Sequence, residues 1–210
     1  MATQSLIQRI NRKVPLLIEK WRGLDFVLVV RQDELGLDEK LVHLAAPTGD
    51  KYFDNVFADL SISPSDRLLD VGCAKGNAMR YALKYPFGAV DGIELASSLA
   101  AIAAKNFQKL GQKKVKVFDM NALDFESYGQ YNVLYFANPF PESIMRLVMA
   151  KITNSAPTTT ETLIVYYNPT CHATMLDYGF VTMRDYPGPF GNGFRVYSNL
   201  PNKSRLKAAA

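Results

Sequence analysis

Much is missing from this sequence of 210 residues, and each absence narrows what it can be. It has two cysteines, Cys73 and Cys171, too few for a disulfide framework and not spaced as CxxC. A reducing, cytoplasmic setting is therefore expected. No metal-binding pattern accompanies the only two histidines, His43 and His172. No apolar run approaches the length of a bilayer span; residues 26–30 are the longest near the start. No membrane partner is expected. Basic and polar residues interrupt the first stretch, so no signal-peptide pattern opens the chain. Acidic residues are absent before Glu19, whereas Arg9, Arg12 and Lys13 precede it. That bias fits a transit peptide, but the spacing of the apolar residues reads better as a folded helix. There is no internal repeat and no low-complexity segment. The net charge of +4 permits an anionic partner without indicating nucleic acid, and Lys113, Lys114 and Lys116 read as a solvated face. What remains is an ordinary composition, 48% hydrophobic and 21% charged, at a length that suits one domain with a sizeable core.

Residues 1–62 read as a helical lead-in or lid, and 63–206 as the core. Leu6, Ile7, Ile10, Val14, Leu17, Ile18 and Trp21 recur at helical spacing, with Pro15 expected to kink or split the helix. Residues 26–30 are apolar but of uncertain type, and a further helix is expected over 52–60. From Arg67 onward strand and helix alternate. Strands are expected at 68–71, 89–95, 115–119, 132–137 and 162–167. Helices are expected at 77–84, 97–110 and 142–152. This is an α/β pattern with a mostly parallel sheet covered on both faces. Residues 180–186 and 193–198 instead read as a closing antiparallel hairpin, with no room for a crossover helix.

The first strand runs into Leu69-Asp70-Val71-Gly72-Cys73-Ala74-Lys75-Gly76-Asn77. An apolar strand here feeds a glycine turn that opens a helix, and Gly72 and Gly76 let a ligand approach the backbone. Glu94 ends the second strand and Asp119 the third, in Phe118-Asp119-Met120-Asn121. The run resembles motif I of class I S-adenosylmethionine-dependent methyltransferases, acidic-x-Gly-x-Gly-x-Gly, with Ala74 replacing the middle glycine. The terminal hairpin fits the same family. That resemblance implies a Rossmann-like class I fold of seven strands and S-adenosyl-L-methionine as cofactor. It implies a cofactor site built from Asp70, Gly72, Cys73, Ala74, Gly76, Glu94, Leu95, Asp119 and Met120, with Tyr52 and Asn138 adjoining. Glu94 falls at the family's ribose-binding acid. Asp119 falls at the position that contacts the adenine amino group, where Met120 could pack on the ring. A nicotinamide fingerprint fits less well, because Asn77 stands where its third glycine belongs and Asp70 would repel a pyrophosphate.

The fourth strand ends in Asn138-Pro139-Phe140, the catalytic candidates. The run is similar to the (Asp/Asn)-Pro-Pro-aromatic motif of amino methyltransferases, with one proline fewer. It is closer to the motif of non-SET histone-lysine methyltransferases and their small bacterial relatives, a likeness to which Tyr52 adds. The resemblance implies methyl transfer to an amine, with a protein lysine among the candidates. A small-molecule or sugar oxygen acceptor remains open, as does a protein that holds S-adenosylmethionine without turnover. The oligomeric state, monomer or homodimer, also stays open. Asn138 as a mere turn residue before Pro139 is the alternative reading. The fifth strand ends in a second Asn-Pro pair, Asn168-Pro169, followed by Thr170, Cys171 and His172. An oxygen acceptor of high pKa would need a base, for which His172 is the nearby histidine candidate.

Overall fold

The computed structural model describes residues 17–28, 51–155, 159–188 and 191–207. Leu6, Ile7, Ile10, Val14 and His43 lie outside these. In chain order the elements are α1 (Lys51–Ala58), β1 (Arg67–Val71), α2 (Asn77–Ala82), β2 (Ala89–Glu94), α3 (Ser97–Lys109), β3 (Val117–Asp119), β4 (Val133–Phe136), α4 (Glu142–Ser155), β5 (Leu163–Tyr167), α5 (His172–Asp177), β6 (Val181–Pro187) and β7 (Gly193–Ser198). The expected strands and helices of the core all form, within a few residues. The short helix α5 is an addition, formed where the sequence showed only a strand end and a loop.

All seven strands join one sheet in the order β3-β2-β1-β4-β5-β7-β6. β1 through β5 pair in parallel, and β7 runs antiparallel to both β5 and β6. This is the mostly parallel sheet with an antiparallel end that the alternation pattern predicts, in the Rossmann-like seven-stranded form that the resemblance implies. The order reverses direction between β1 and β4, and the crevice beyond those strand ends is where open α/β sheets place ligands.

Side chains alternate across the sheet, as the pleat requires. Leu68, Val133, Tyr135, Leu163, Val165 and Val196 face one core layer, shared with Phe53, Val56 and Phe57 of α1, Met79 of α2 and Phe107 of α3. Leu69, Val71, Leu134, Phe136, Ile164 and Tyr166 face the other, shared with Met145, Val148 and Met149 of α4 and Met175 of α5. Because parallel strands are covered on both faces, they read as continuous apolar runs. α1 is therefore part of the core itself, its Phe53 and Phe57 rings stacked 4.1 Å apart.

Only the end of the expected opening helix lies among the described residues. Residues 17–21 are helical, but the apolar side chains of the predicted face are exposed: Leu17, Ile18 and Trp21, the last at 88%. Glu19 is the buried one. Its Oε1 accepts from Arg80 of α2 at 2.7 Å, and its Oε2 accepts from the Phe26 backbone N–H at 3.0 Å. Helical spacing reports only that apolar residues share a face; here an ion pair with α2 decides which face turns inward. At the other end, Arg205 binds the buried carboxylates of Asp66 and Glu161, tying the tail to the residues that precede β1 and β5.

Candidate active site

β1 delivers the chain into a loop pinned to the neighbouring strand β2. The N–H groups of Gly72 and Cys73 both donate to the Ile93 carbonyl of β2 at 2.9 Å, and Gly76 N–H donates to Cys73 O at 2.8 Å. Gly72, Ala74 and Gly76 all have positive φ, +86°, +48° and +83°. A Cβ on Gly72 would lie 2.8 Å from the Pro139 Cβ, and one on Gly76 2.5 Å from a Phe107 ring carbon. Both positions thus need glycine twice over, for dihedral and for space. Ala74 keeps the left-handed conformation without being glycine, at a cost of about 1–2 kcal/mol.

Two carboxylates of this motif share the sheet face under α2. β1 and β2 place Asp70 opposite Gly92, with Glu94 two positions further along the strand. Asp70 is buried, and burial together with the nearby Glu94 raises its pKa well above the usual carboxylate range. Glu94 is buried too, and desolvation lifts its pKa. Backbone N–H groups oppose that rise: Oε1 accepts from Ala96 and Oε2 from Ala74, each at 2.8 Å. Glu94 therefore secures the left-handed Ala74 while leaving further lone pairs for a ligand. Asp119 stands beside Glu94 in register at the end of β3, exposed, and accepts from Ser97 Oγ at 2.9 Å. Leu95 and Met120 are half-buried next to these acids, and Tyr52 is half-buried in the first turn of α1. The Cys73 side chain is buried. It packs over the β2 backbone, where a Cβ on Gly92 would meet its Sγ at 2.7 Å.

The opposite rim is built by two matching turns. Asn138 and Asn168 end β4 and β5, each precedes a proline, and each has φ +51°. Pro139 lies against Gly72, so this turn touches the glycine loop directly. Phe140 is turned into the core beside Met145 and Cys171, away from the rim. The Asn138 amide oxygen, expected to receive a substrate nitrogen, accepts from Thr170 Oγ1 at 2.6 Å and from Tyr166 Oη at 3.4 Å. His172 opens α5, and its Nδ1 lies 3.0 Å from Tyr197 Oη. Burial raises the pKa of Tyr197 to about 12, so the phenol keeps its proton.

Gly92, Lys75, Asp25 and Asn106 are functional-site neighbours that pattern reading missed. A glycine in the middle of a strand signals close backbone approach and could have marked Gly92. Nothing in the sequence pairs Asp25 with Lys75.

No protein-family model matches the chain, and no curated protein matches it in sequence. Its fold is similar to several solved structures. One is an Escherichia coli protein provisionally assigned as a methyltransferase (TM-score 0.59, 18% identity, covering 73% of this chain and 88% of that one). Another is an RNA methyltransferase from Salinibacter ruber bound to S-adenosyl-L-homocysteine (TM-score 0.58, 15% identity, 79% and 96%). A third is a SAM-dependent methyltransferase from Aquifex aeolicus (TM-score 0.57, 13% identity, 70% and 88%). At these identities the likeness is one of fold.

Proposed function

We propose that this chain is an S-adenosylmethionine-dependent methyltransferase acting on an amine. The observation that carries the reading is the pair of buried carboxylates, Asp70 and Glu94, beneath a loop with three left-handed residues at the sheet's switch point. Their raised pKa values describe two acids short of positive partners. A sulfonium cofactor with an α-ammonium group is cationic and supplies what they lack. A dinucleotide pyrophosphate would add negative charge to the same place. The solved structures of similar fold include complexes with S-adenosylmethionine and S-adenosylhomocysteine, which is consistent with this choice.

In this reading Asp70 balances the cofactor's positive charge, and the spare lone pairs of Glu94 accept from ribose hydroxyls. Asp119 accepts from the adenine amino group, with Met120 packed on the ring. S-adenosylmethionine supplies a methyl group already activated by its sulfonium. The chain's own task is then alignment, which can contribute up to roughly 7–11 kcal/mol. Asn138 and Pro139 form the rim that the acceptor meets, with Asn138 fixed in place by Thr170 and Tyr166.

The rim favours nitrogen over oxygen as the acceptor. A neutral amine brings its own lone pair, whereas an alcohol needs a base. The nearby histidine, His172, has its Nδ1 engaged by Tyr197 Oη at 3.0 Å. A protein lysine is one such amine once its ammonium has lost a proton.

Calorimetry on the whole chain with S-adenosylhomocysteine, S-adenosylmethionine and NAD tests the cofactor. Micromolar binding of the first two is expected; binding of NAD alone would overturn the proposal. Once an acceptor is found, Asn138→Ala should lower turnover by about 10²-fold with cofactor affinity nearly unchanged. Full activity would remove Asn138 from the acceptor site.

A further inference from the structure

The glycine loop contains one charged side chain, Lys75, and it is 5% exposed. A buried ammonium is costly unless paired. Its partner is Asp25 Oδ2 at 2.6 Å, fifty residues earlier in the segment 17–28. The other Asp25 oxygen, Oδ1, is buried with no hydrogen-bond partner among the described residues, although the side chain as a whole is 35% exposed, and Lys75 is the cation that faces this carboxylate.

One side chain of α3 locks the pair. The Asn106 amide oxygen accepts from Asp25 N–H at 2.9 Å, and its Nδ2 donates to Asp25 O at 2.8 Å and to Lys75 O at 3.3 Å. Lys75 is thus held by both its ammonium and its carbonyl. The same segment grips the loop's downstream side. Phe26 packs edge-on to Phe107 at 5.5 Å and lies under the Arg80 guanidinium at 4.5 Å. Phe107 is the ring that occupies the space a Gly76 side chain would need.

These contacts converge on residues 75–76, between Ala74, whose N–H Glu94 holds, and the first turn of α2. We infer that Asp25 is a positioning residue for the ligand loop, acting through Lys75, so that docking of the segment 17–28 and ligand binding at the loop reinforce each other. The ligand part of this inference rests on the cofactor reading above. The segment then acts as a strap behind the loop, and its role is reciprocal: a ligand that orders the loop must also hold the strap more firmly.

The test uses the full chain and four variants: Asp25→Ala, Lys75→Met, the double variant, and Asp25→Glu. Lys75→Met keeps the length of the stem while removing the charge, which guards against a fold lost to an unpaired buried ammonium. S-adenosylhomocysteine affinity is read by calorimetry, and amide exchange across residues 73–77 is read without ligand. Each single variant should weaken binding about tenfold, within the range of ordinary coupling. The double variant should be no weaker than the worse single one, because both remove the same contact. Asp25→Glu should recover most of the affinity, and exchange at 73–77 should quicken in both single variants. Affinity within twofold of the parent in Lys75→Met, or losses that add in the double variant, would overturn the inference. If the parent chain itself fails to bind S-adenosylhomocysteine, the cofactor reading falls. The exchange arm then decides the inference alone: faster exchange upholds the positioning role and unchanged exchange refutes it.

Discussion

Gly92 offers a sharp test of how the sheet supports the loop. It sits in the centre of β2, opposite Asp70, on the face that α2 covers. A Cβ placed there would lie 2.6 Å from Met79 Sδ and 2.7 Å from both Cβ and Sγ of Cys73. Ordinary carbon contacts begin near 3.5 Å, so the overlap is close to an ångström. Met79 has rotatable bonds and can yield. The Cβ of Cys73 cannot move without its backbone, and that backbone is anchored to Ile93 O by the N–H groups of Gly72 and Cys73. Gly92→Ala should therefore displace the loop as well as crowd the core. Overpacking of this kind costs about 1–3 kcal/mol. For a domain of this size that corresponds to a fall in Tm of roughly 2–12 °C. Binding of S-adenosylhomocysteine should weaken in parallel, because the displaced residues are the loop itself. Gly111→Ala is the control. Its φ is +65° and nothing lies within 4 Å, so it should cost only the left-handed strain, about 1–2 kcal/mol, and leave binding alone. Thermal melts and calorimetry on the two variants decide the matter. A Gly92→Ala protein with unchanged Tm and unchanged affinity would refute the reasoning from close approach.

Other outcomes follow from the same contacts. Replacing Glu94 by Ala removes its bonds to Ala74 and Ala96, charge-assisted contacts worth about 1.5–3 kcal/mol each, so S-adenosylhomocysteine affinity should drop tenfold or more; equal binding would take Glu94 out of the site. Asp70 has a pKa raised above the ordinary 3.8, so its charge opposes folding increasingly as pH climbs from that value toward the folded pKa. Asp70→Asn should therefore melt higher than the parent at pH 7, with the gain shrinking as pH is lowered, while cofactor binding weakens; a gain that grows toward acid pH would contradict the buried, unpaired carboxyl. Arg205→Ala strands Asp66 and Glu161, both nearly inaccessible, and should cost about 3 kcal/mol in denaturant unfolding without touching the glycine loop. His172→Ala should leave the pH profile of turnover unaltered; a profile flattened between about pH 6 and 8 would restore it as a base and favour an oxygen acceptor.

The alternation of strand and helix from Arg67 to Ser198 was legible in the sequence because it is a local matter. Apolar runs such as Leu163–Tyr167 are the signature of strands covered on both faces, and Gly, Pro and Asn punctuate them at their ends. The loop around Gly72 and Gly76 was legible for the same reason, since left-handed backbone and close approach demand particular residue types at particular positions. So were Glu94 and Asp119, which follow from where β2 and β3 stop. Tertiary structure decided what depends on contacts between distant segments. It turned Phe140 inward against α4, gave the Asn138 oxygen to Thr170, and engaged His172 with Tyr197, a residue of β7. It also buried Glu19 against Arg80 and left Trp21 exposed. Periodicity records which side chains share a face of a helix. Which face is buried, and which polar atoms are already taken, depends on what the rest of the chain places opposite. Asp25 and Lys75 lie fifty positions apart and carry no common motif, so their pairing exists only once α2 and α3 have brought the segment 17–28 against the loop.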